Sequence, residues 1–233
     1  MEVFESKPPA YTREELAEIA KDYFGKTGEL KQLVSERDQN ARIITSDGEF
    51  VLKVANSAED PEFLEFQNAV LNHVAELDPG LAIPTVVKGK DDQEIFKHGD
   101  NNIRLISFLK GDIFGEAEKP IALYENLGHF MGRFSNAMQG FGHVKAHQPD
   151  FLWNLDAAAH CKNYIGDIET DEIKELIEYF YDRYDTYVAP RLKKMRSAVI
   201  HSDANTYNLV VKGEEISGLI DFGDMLFGKQ INE

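Results

Sequence analysis

Cysteine occurs once in 233 residues, as Cys161, so no disulfide can form within the chain, and a reducing compartment is the simpler expectation. Basic residues are scarce too: 25 Lys and Arg stand against 41 Asp and Glu, a net charge of −16. Without a basic patch to release counterions from phosphates, nucleic acid and anionic membrane surfaces are excluded as partners. No segment reaches the roughly 18 consecutive apolar residues of a membrane helix. The opening Met1-Glu2-Val3-Phe4-Glu5 has neither the basic nor the apolar part of a signal peptide, so a soluble, cytoplasmic protein is expected. Internal repeats and low-complexity segments are also missing. What is present is 42% hydrophobic residues, enough to bury a core in one bilobal unit or two small domains.

The chemistry concentrates near the end. His201-x-Asp203-x-x-x-x-Asn208 is followed thirteen residues later by Asp221-Phe222-Gly223. Phosphoryl transfer leaves a protein little covalent work, so a site for it reduces to one carboxylate that positions a hydroxyl and an amide and a second carboxylate that hold Mg²⁺. Residues 209–212 read as a strand, 213–215 as a turn and 216–220 as a second strand that Gly218 interrupts. Such a hairpin sets Asn208 and Asp221 opposite each other at its open ends, within reach of one ion that takes oxygen ligands. Asp203, on the incoming loop, reaches the same point. Each residue alone has a plainer reading. A single histidine after Ala198-Val199-Ile200 is a hydrogen-bonded organiser of its loop, Asp203 and Asn205 are equally good turn caps, and Asn208 can open a strand by an Asx turn. Order and spacing taken together favour the site.

Upstream, Thr12-Arg13-Glu14-Glu15 is a capping box opening a helix over 12–24, with Gly25 closing it. Residues 30–34, 42–45 and 50–54 predict a three-stranded meander, and Lys53 lies in the third strand among apolar neighbours. Asp60-Pro61 marks a helix start, after which Phe63, Phe66, Val70, Leu71, Val74 and Leu77 recur at helical spacing. Further strands are expected over 84–87, 94–97 and 103–109. Residues 120–138 and 171–188 predict two core-facing helices. The aromatic stripe over 179–187 reads as packing, and His143, His147 and Trp153 fit no compact metal motif.

His201-Ser202-Asp203-Ala204-Asn205-Thr206-Tyr207-Asn208 with Ile220-Asp221-Phe222-Gly223-Asp224 resembles the core of the aminoglycoside phosphotransferase and choline kinase family, small-molecule relatives of protein kinases. The wording is most similar to the branch that includes hydroxylysine kinase and the kinase-like domains fused to class III aminotransferases. The resemblance implies an α+β, bilobal, protein-kinase-like fold. Residues 1–109, led in by the 12–24 helix, would form a nucleotide-binding lobe of antiparallel sheet and one helix. Residues 110–233 would form a mostly helical catalytic lobe with its hairpin, truncated after the Asp-Phe-Gly motif. It further implies ATP and Mg²⁺ as cofactors, Asp203 as catalytic base, Asn208 and Asp221 as Mg²⁺ ligands, and Lys53 on the α and β phosphates. Ser107 to Leu109 would be the connector whose main chain, at Ser107 and Leu109, receives adenine.

The resemblance has departures. Gln67 stands where relatives carry the glutamate that pairs with the lysine. No glycine-rich loop is present, and Asp38-Gln39-Asn40 lies in the loop expected over the phosphates. Ser202 replaces the arginine that precedes the catalytic aspartate in protein kinases, which argues against protein substrates. The expected activity is transfer of the γ-phosphoryl group of ATP to the hydroxyl of a small amino alcohol or hydroxy amino acid. Two alternatives are a nucleotide-binding pseudokinase or regulatory domain, and a fragment of a larger fused enzyme that is inactive alone. Met225, Leu226 and Phe227 are expected to lack part of their packing, leaving an exposed patch, a homodimer or an association with further domains of a longer polypeptide.

Overall fold

The computed structural model describes residues 6–149, 151 and 153–233, so the 1–5 stretch lies outside it. In chain order the elements are α1 (Arg13–Phe24), β1 (Glu29–Leu33), β2 (Gln39–Ile44), β3 (Glu49–Val54), α2 (Pro61–Leu77), β4 (Val86–Val87), β5 (Ile95–His98), β6 (Asn101–Ser107), β7 (Asp112–Ile113) and α3 (Ile121–Ala137). After two 3₁₀ segments, Val144–Ala146 and Leu155–Asp167, come α4 (Asp171–Arg183), a π-turn over Tyr184–Val188 and α5 (Ala189–Leu192). The chain ends in β8 (Ser197–Ile200), β9 (Leu209–Lys212), β10 (Glu215–Leu219) and β11 (Leu226–Lys229). Among the described residues, contacts group those up to Phe130 with Thr206–Ile220 in one compact unit and those within Met131–Asn205 with Asp221–Glu233 in a second.

The first unit is built on an antiparallel sheet in the order β1-β2-β3-β6-β4, with β5 also paired to β6. The expected meander is there, although β2 starts at Gln39 and takes in Asp38-Gln39-Asn40's last two residues. Alternate side chains from β1 to β6 (Leu30, Ala41, Ile43, Leu52, Val54, Ile103 and Leu105) meet Leu16, Ile19, Ala20 and Phe24 of α1 in one core. The capping box fixes where α1 begins: Glu15 N–H donates to Thr12 Oγ1 at 3.2 Å and Thr12 N–H donates to the Glu15 carboxylate at 2.7 Å. At its other end Gly25 takes φ 65°, which a side chain would oppose. Asp60 caps α2 by accepting from Glu62 N–H at 3.0 Å.

A smaller sheet, β10-β9-β7, completes this unit. Its hairpin carries an irregularity between Ile216 and Gly218. Space at Gly218 is tight, since a Cβ there would fall 2.6 Å from Leu109 Cδ1 and that side chain would have to shift.

The second unit holds the antiparallel ribbon β8–β11, which the sequence reading did not anticipate. Ala198, Val199, Ile200, Met225 and Leu226 are all buried while Phe227 is 39% exposed, so of the patch expected at 225–227 only Phe227 reaches the surface. Gln148 Nε2 also holds Met225 O at 2.9 Å, and Phe227 stacks on His147 at 4.9 Å. A second correction concerns 171–188. The helix forms, but no residue of α4 is buried, and Leu176 and Phe180 are 55% and 60% exposed. Its 3.6-residue period marks an apolar face that is only partly covered: Ile177, Tyr181 and Tyr184 are half-buried, with the Tyr181 hydroxyl donating to Ala158 O, while Leu176 and Phe180 stay exposed. No helix of the described residues is long and apolar enough to cross a membrane.

Candidate active site

In the second unit the ribbon does the positioning. Leu226 pairs with Ile200, so the loop leaving β8 and the loop entering β11 share one end of it. The first carries His201 and Asp203, the second Asp221 and Phe222. His201 is fully buried, its ring 4.8 Å from Phe222 and 6.4 Å from Phe134. Its Nδ1 accepts the Asp203 N–H at 3.3 Å, which leaves the ring proton of the neutral form on Nε2. Asn205 Nδ2 donates to Asp203 Oδ1 at 2.7 Å and so orients the carboxylate. The aspartate is therefore held at both ends: main chain to a buried ring, side chain to an amide.

The backbone is unusual at the same places. Ser202 and Asp221 have φ of 69° and 63°, the left-handed region that costs a non-glycine residue free energy and that clusters at functional sites. Underneath, Glu233 accepts the His201 N–H at 2.9 Å and also the Ser202 N–H. Burial raises this carboxyl to about 7, against the lowering effect of the two amides. Glu233 carries no local sequence signal and was missed.

The first unit holds Lys53, Gln67, Ser107, Leu109 and Asn208. Asn208 sits at the open end of the β9–β10 hairpin, where its carbonyl accepts the Ile220 N–H at 2.9 Å, one residue before Asp221. Ser107 ends β6 rather than continuing it to residue 109. Its N–H donates to Thr85 O and its hydroxyl accepts from Thr85 N–H, both at 2.9 Å, and Phe108 N–H donates to Glu49 O. Two of the connector's three N–H groups are thus used by the fold. Gln39 is also committed, since its amide pairs with both main-chain groups of Tyr11 at 2.8 Å. Asp38 Oδ1 accepts from Asn56 N–H at 3.1 Å. The loop expected over the phosphates therefore spends these side chains on fastening the sheet.

Gln67 is 3% exposed, and its Oε1 accepts from Arg104 Nη2. Arg104, 4% exposed, also donates from Nη1 to Asn68 Oδ1 at 3.0 Å. The partner of Gln67 is thus an arginine on β6. The sequence did carry a signal for it: one charge inside the apolar run Ile103-Arg104-Leu105-Ile106.

A sheet flanked by α1 and α2, with a hairpin and a tight carboxylate loop supplied from the end of the chain, defines an α+β kinase-like fold. Residues 29–231 match the phosphotransferase enzyme family APH, and the chain belongs to that family; it is a small-molecule kinase. It is 29% identical to hydroxylysine kinase of Danio rerio over 252 residues, covering all of this chain and 70% of the relative. Against hydroxylysine kinase of Mus musculus the identity is 27% over 260 residues, covering 98% and 68%. The solved structure of amicoumacin kinase hAmiN, in complex with AMP-PNP, Ca²⁺ and Ami, superposes with a TM-score of 0.70 at 13% identity, over 95% of this chain and 66% of that one.

Proposed function

We propose that the chain transfers the γ-phosphoryl group of ATP to the hydroxyl of a small amine-bearing metabolite, a hydroxy amino acid or amino alcohol. The observation that carries this is the posture of Asp203, whose main chain is tied to buried His201 and whose carboxylate is oriented by Asn205. A carboxylate fixed in this way is preorganised to take a proton from an alcohol. The acceptor oxygen bonds to the γ-phosphorus, the bond from phosphorus to the bridging oxygen of ADP breaks, and the hydroxyl proton passes to Asp203. ATP is supported by the AMP-PNP held in the hAmiN structure. The acceptor class is supported by the two hydroxylysine kinases, and an acidic surface of net charge −16 suits a cationic acceptor.

Lys53 would meet the α and β phosphates, and the main chain at Ser107 and Leu109 the adenine. The Asn208 amide and the Asp221 carboxylate would hold Mg²⁺. Among the described residues no three His, Cys, Asp or Glu side chains gather as a metal group. Mg²⁺ needs none, because it takes one or two protein oxygens and fills its shell with phosphate and water. Two hard oxygen donors fit that requirement. When bound, the ion would neutralise charge on the phosphates. The test is thermal unfolding with ATP and Mg²⁺, with ATP and EDTA, and for Asp221→Ala. A ligand at 100 times its Kd stabilises by about 2.7 kcal/mol, so a metal-dependent rise in Tm that the variant loses is expected. A wild-type Tm indifferent to ATP and Mg²⁺ would sink the proposal.

A further inference from the structure

Glu49, the first residue of β3, reaches the connector at three points. Its main-chain oxygen accepts the Phe108 N–H at 2.9 Å. One carboxylate oxygen accepts from Arg42 Nε at 2.7 Å and from Arg42 Nη2, and the other meets Lys110 Nζ at 2.6 Å. Held in this way, the Arg42 guanidinium lies over the Phe108 ring, 3.9 Å from its centre. Phe108 is thus fixed by its N–H and by its ring, and Lys110 by its ammonium.

These contacts differ in weight. Lys110 is 70% exposed, and a pair open to solvent contributes little. The Arg42 and Glu49 side chains are 28% and 14% exposed, so two charge-assisted bonds to one oxygen are sheltered there. Lys110 and Arg42 together hold the Glu49 carboxyl below its ordinary range, which keeps it ionised.

The other side of the connector rests on the β9–β10 hairpin. The Ser217 hydroxyl donates to Lys110 O at 3.1 Å, and Leu109 packs into the space that Gly218 leaves open. Leu109 therefore sits between two anchored neighbours, while its own N–H makes no hydrogen bond among the described residues. A single N–H held in a fixed place suits a purine whose N1 is an acceptor, as in adenine. Hypoxanthine carries a hydrogen on N1, so it would leave both donors unpaired.

We propose that Glu49 is a positioning residue for recognition of the nucleotide base: through Phe108, Arg42 and Lys110 it fixes the connector around Leu109, so that the Leu109 N–H selects adenine. The inference rests on the reading of the connector as the adenine site and goes beyond it by naming what sets the selectivity.

ATP, inosine triphosphate and inorganic tripolyphosphate are titrated calorimetrically with Mg²⁺ into wild type, Glu49→Gln and Arg42→Met, with Tm measured without ligand. Wild type is expected to prefer ATP to inosine triphosphate by at least about 10-fold. Glu49→Gln keeps the shape of the side chain and the main-chain bond to Phe108, so it should fold. It is expected to weaken ATP about 3- to 10-fold while tripolyphosphate, which has no base, changes by less than about 2-fold. Inosine triphosphate never had the bond to Leu109 and should lose less than ATP, so the preference narrows. Arg42→Met should act in the same direction, and it carries the test if Glu49→Gln does not fold. A variant that keeps both wild-type ATP affinity and wild-type preference overturns the inference, as does an equal loss for all three ligands, which is general loosening. If wild type itself binds ATP and inosine triphosphate alike, the reading of the connector falls and this inference with it.

Discussion

The sheet around Lys53 and the helical stretch over 155–192 differ in how they use apolar residues. In the sheet, Ile43, Leu52, Val54, Ile103 and Leu105 are fully buried; in α4 and α5 no residue is buried. Side chains that must keep a fixed position lie on the first kind of support. Lys53 and Arg104 project from strands whose other face is core, and the Asp203 loop leaves a ribbon whose Val199, Ile200 and Leu226 are 1%, 2% and 1% exposed. A four-residue strand pair would be marginal by itself, yet it holds two left-handed residues in place. Packing under the strand, rather than strand length, sets how firmly each loop is held.

The largest effect that tests this contrast is on chemistry. Asp203→Ala removes the carboxylate and should lower turnover by about 10²–10⁴ with Tm little changed, if general-base work is its main contribution. Asn205→Ala leaves the carboxylate and removes its orienting amide, so a smaller loss is expected from it. Steady-state kinetics with an amino alcohol or hydroxy amino acid acceptor checks both, and equal losses would mean that Asn205 does more than orient.

Next in size is the sheet core. Leu105 is fully buried on the strand that carries Arg104, so Leu105→Ala should cost about 2–5 kcal/mol of stability, transfer and cavity terms together. Urea unfolding measures it. A cost under about 1 kcal/mol would mean that the sheet relaxes around the gap and is not the rigid platform described.

The carboxyl of Glu233 gives the second unit its own signature. Its folded value of about 7 lies above the ordinary 4.5. Its stabilising contribution is therefore complete below about pH 4.5 and is lost as pH rises through 7, because the unfolded chain gives up this proton first. Glu233→Gln keeps an acceptor for His201 N–H and never ionises. The variant should lose that part of the decline in Tm between pH 5 and 8, and retention of the full wild-type slope would show that the carboxyl is not buried as described.

Much of this was legible because it was local. Thr12 with Glu15, Asp60 with Pro61, and the hairpin around Gly213 announce themselves within four residues, and the structure has all three. The stretch with His201, Asp203, Asn208 and Asp221 stood out because its order and spacing are local and resemble those of the phosphotransferase family. What stayed hidden depends on distant partners. β8 is four residues long and becomes a strand through β11, 26 or more positions away. Gln39 looked like part of a phosphate loop until Tyr11 took its amide. Gln67 looked like a weak substitute for a glutamate until Arg104, 37 positions on, supplied its reason. In α4 the difference runs the other way: a clean helical period predicts burial, and no residue of the helix is buried.

The smallest effect is expected there. Phe180 is 60% exposed and meets Tyr179 edge to face at 5.4 Å, so Phe180→Ser gives up little buried area. It should change stability by no more than about 0.5 kcal/mol, the range of ordinary surface substitutions. Tyr181 makes the contrast within the same helix, because its hydroxyl donates to Ala158 O at 3.0 Å and Tyr181→Phe removes a hydrogen bond of about 1 kcal/mol. Urea unfolding at two protein concentrations decides it. If Phe180→Ser costs as much as Leu105→Ala, and the cost grows with concentration, the apolar face of α4 is covered in solution by a second copy, and the two regions do not differ as their accessibilities say they do.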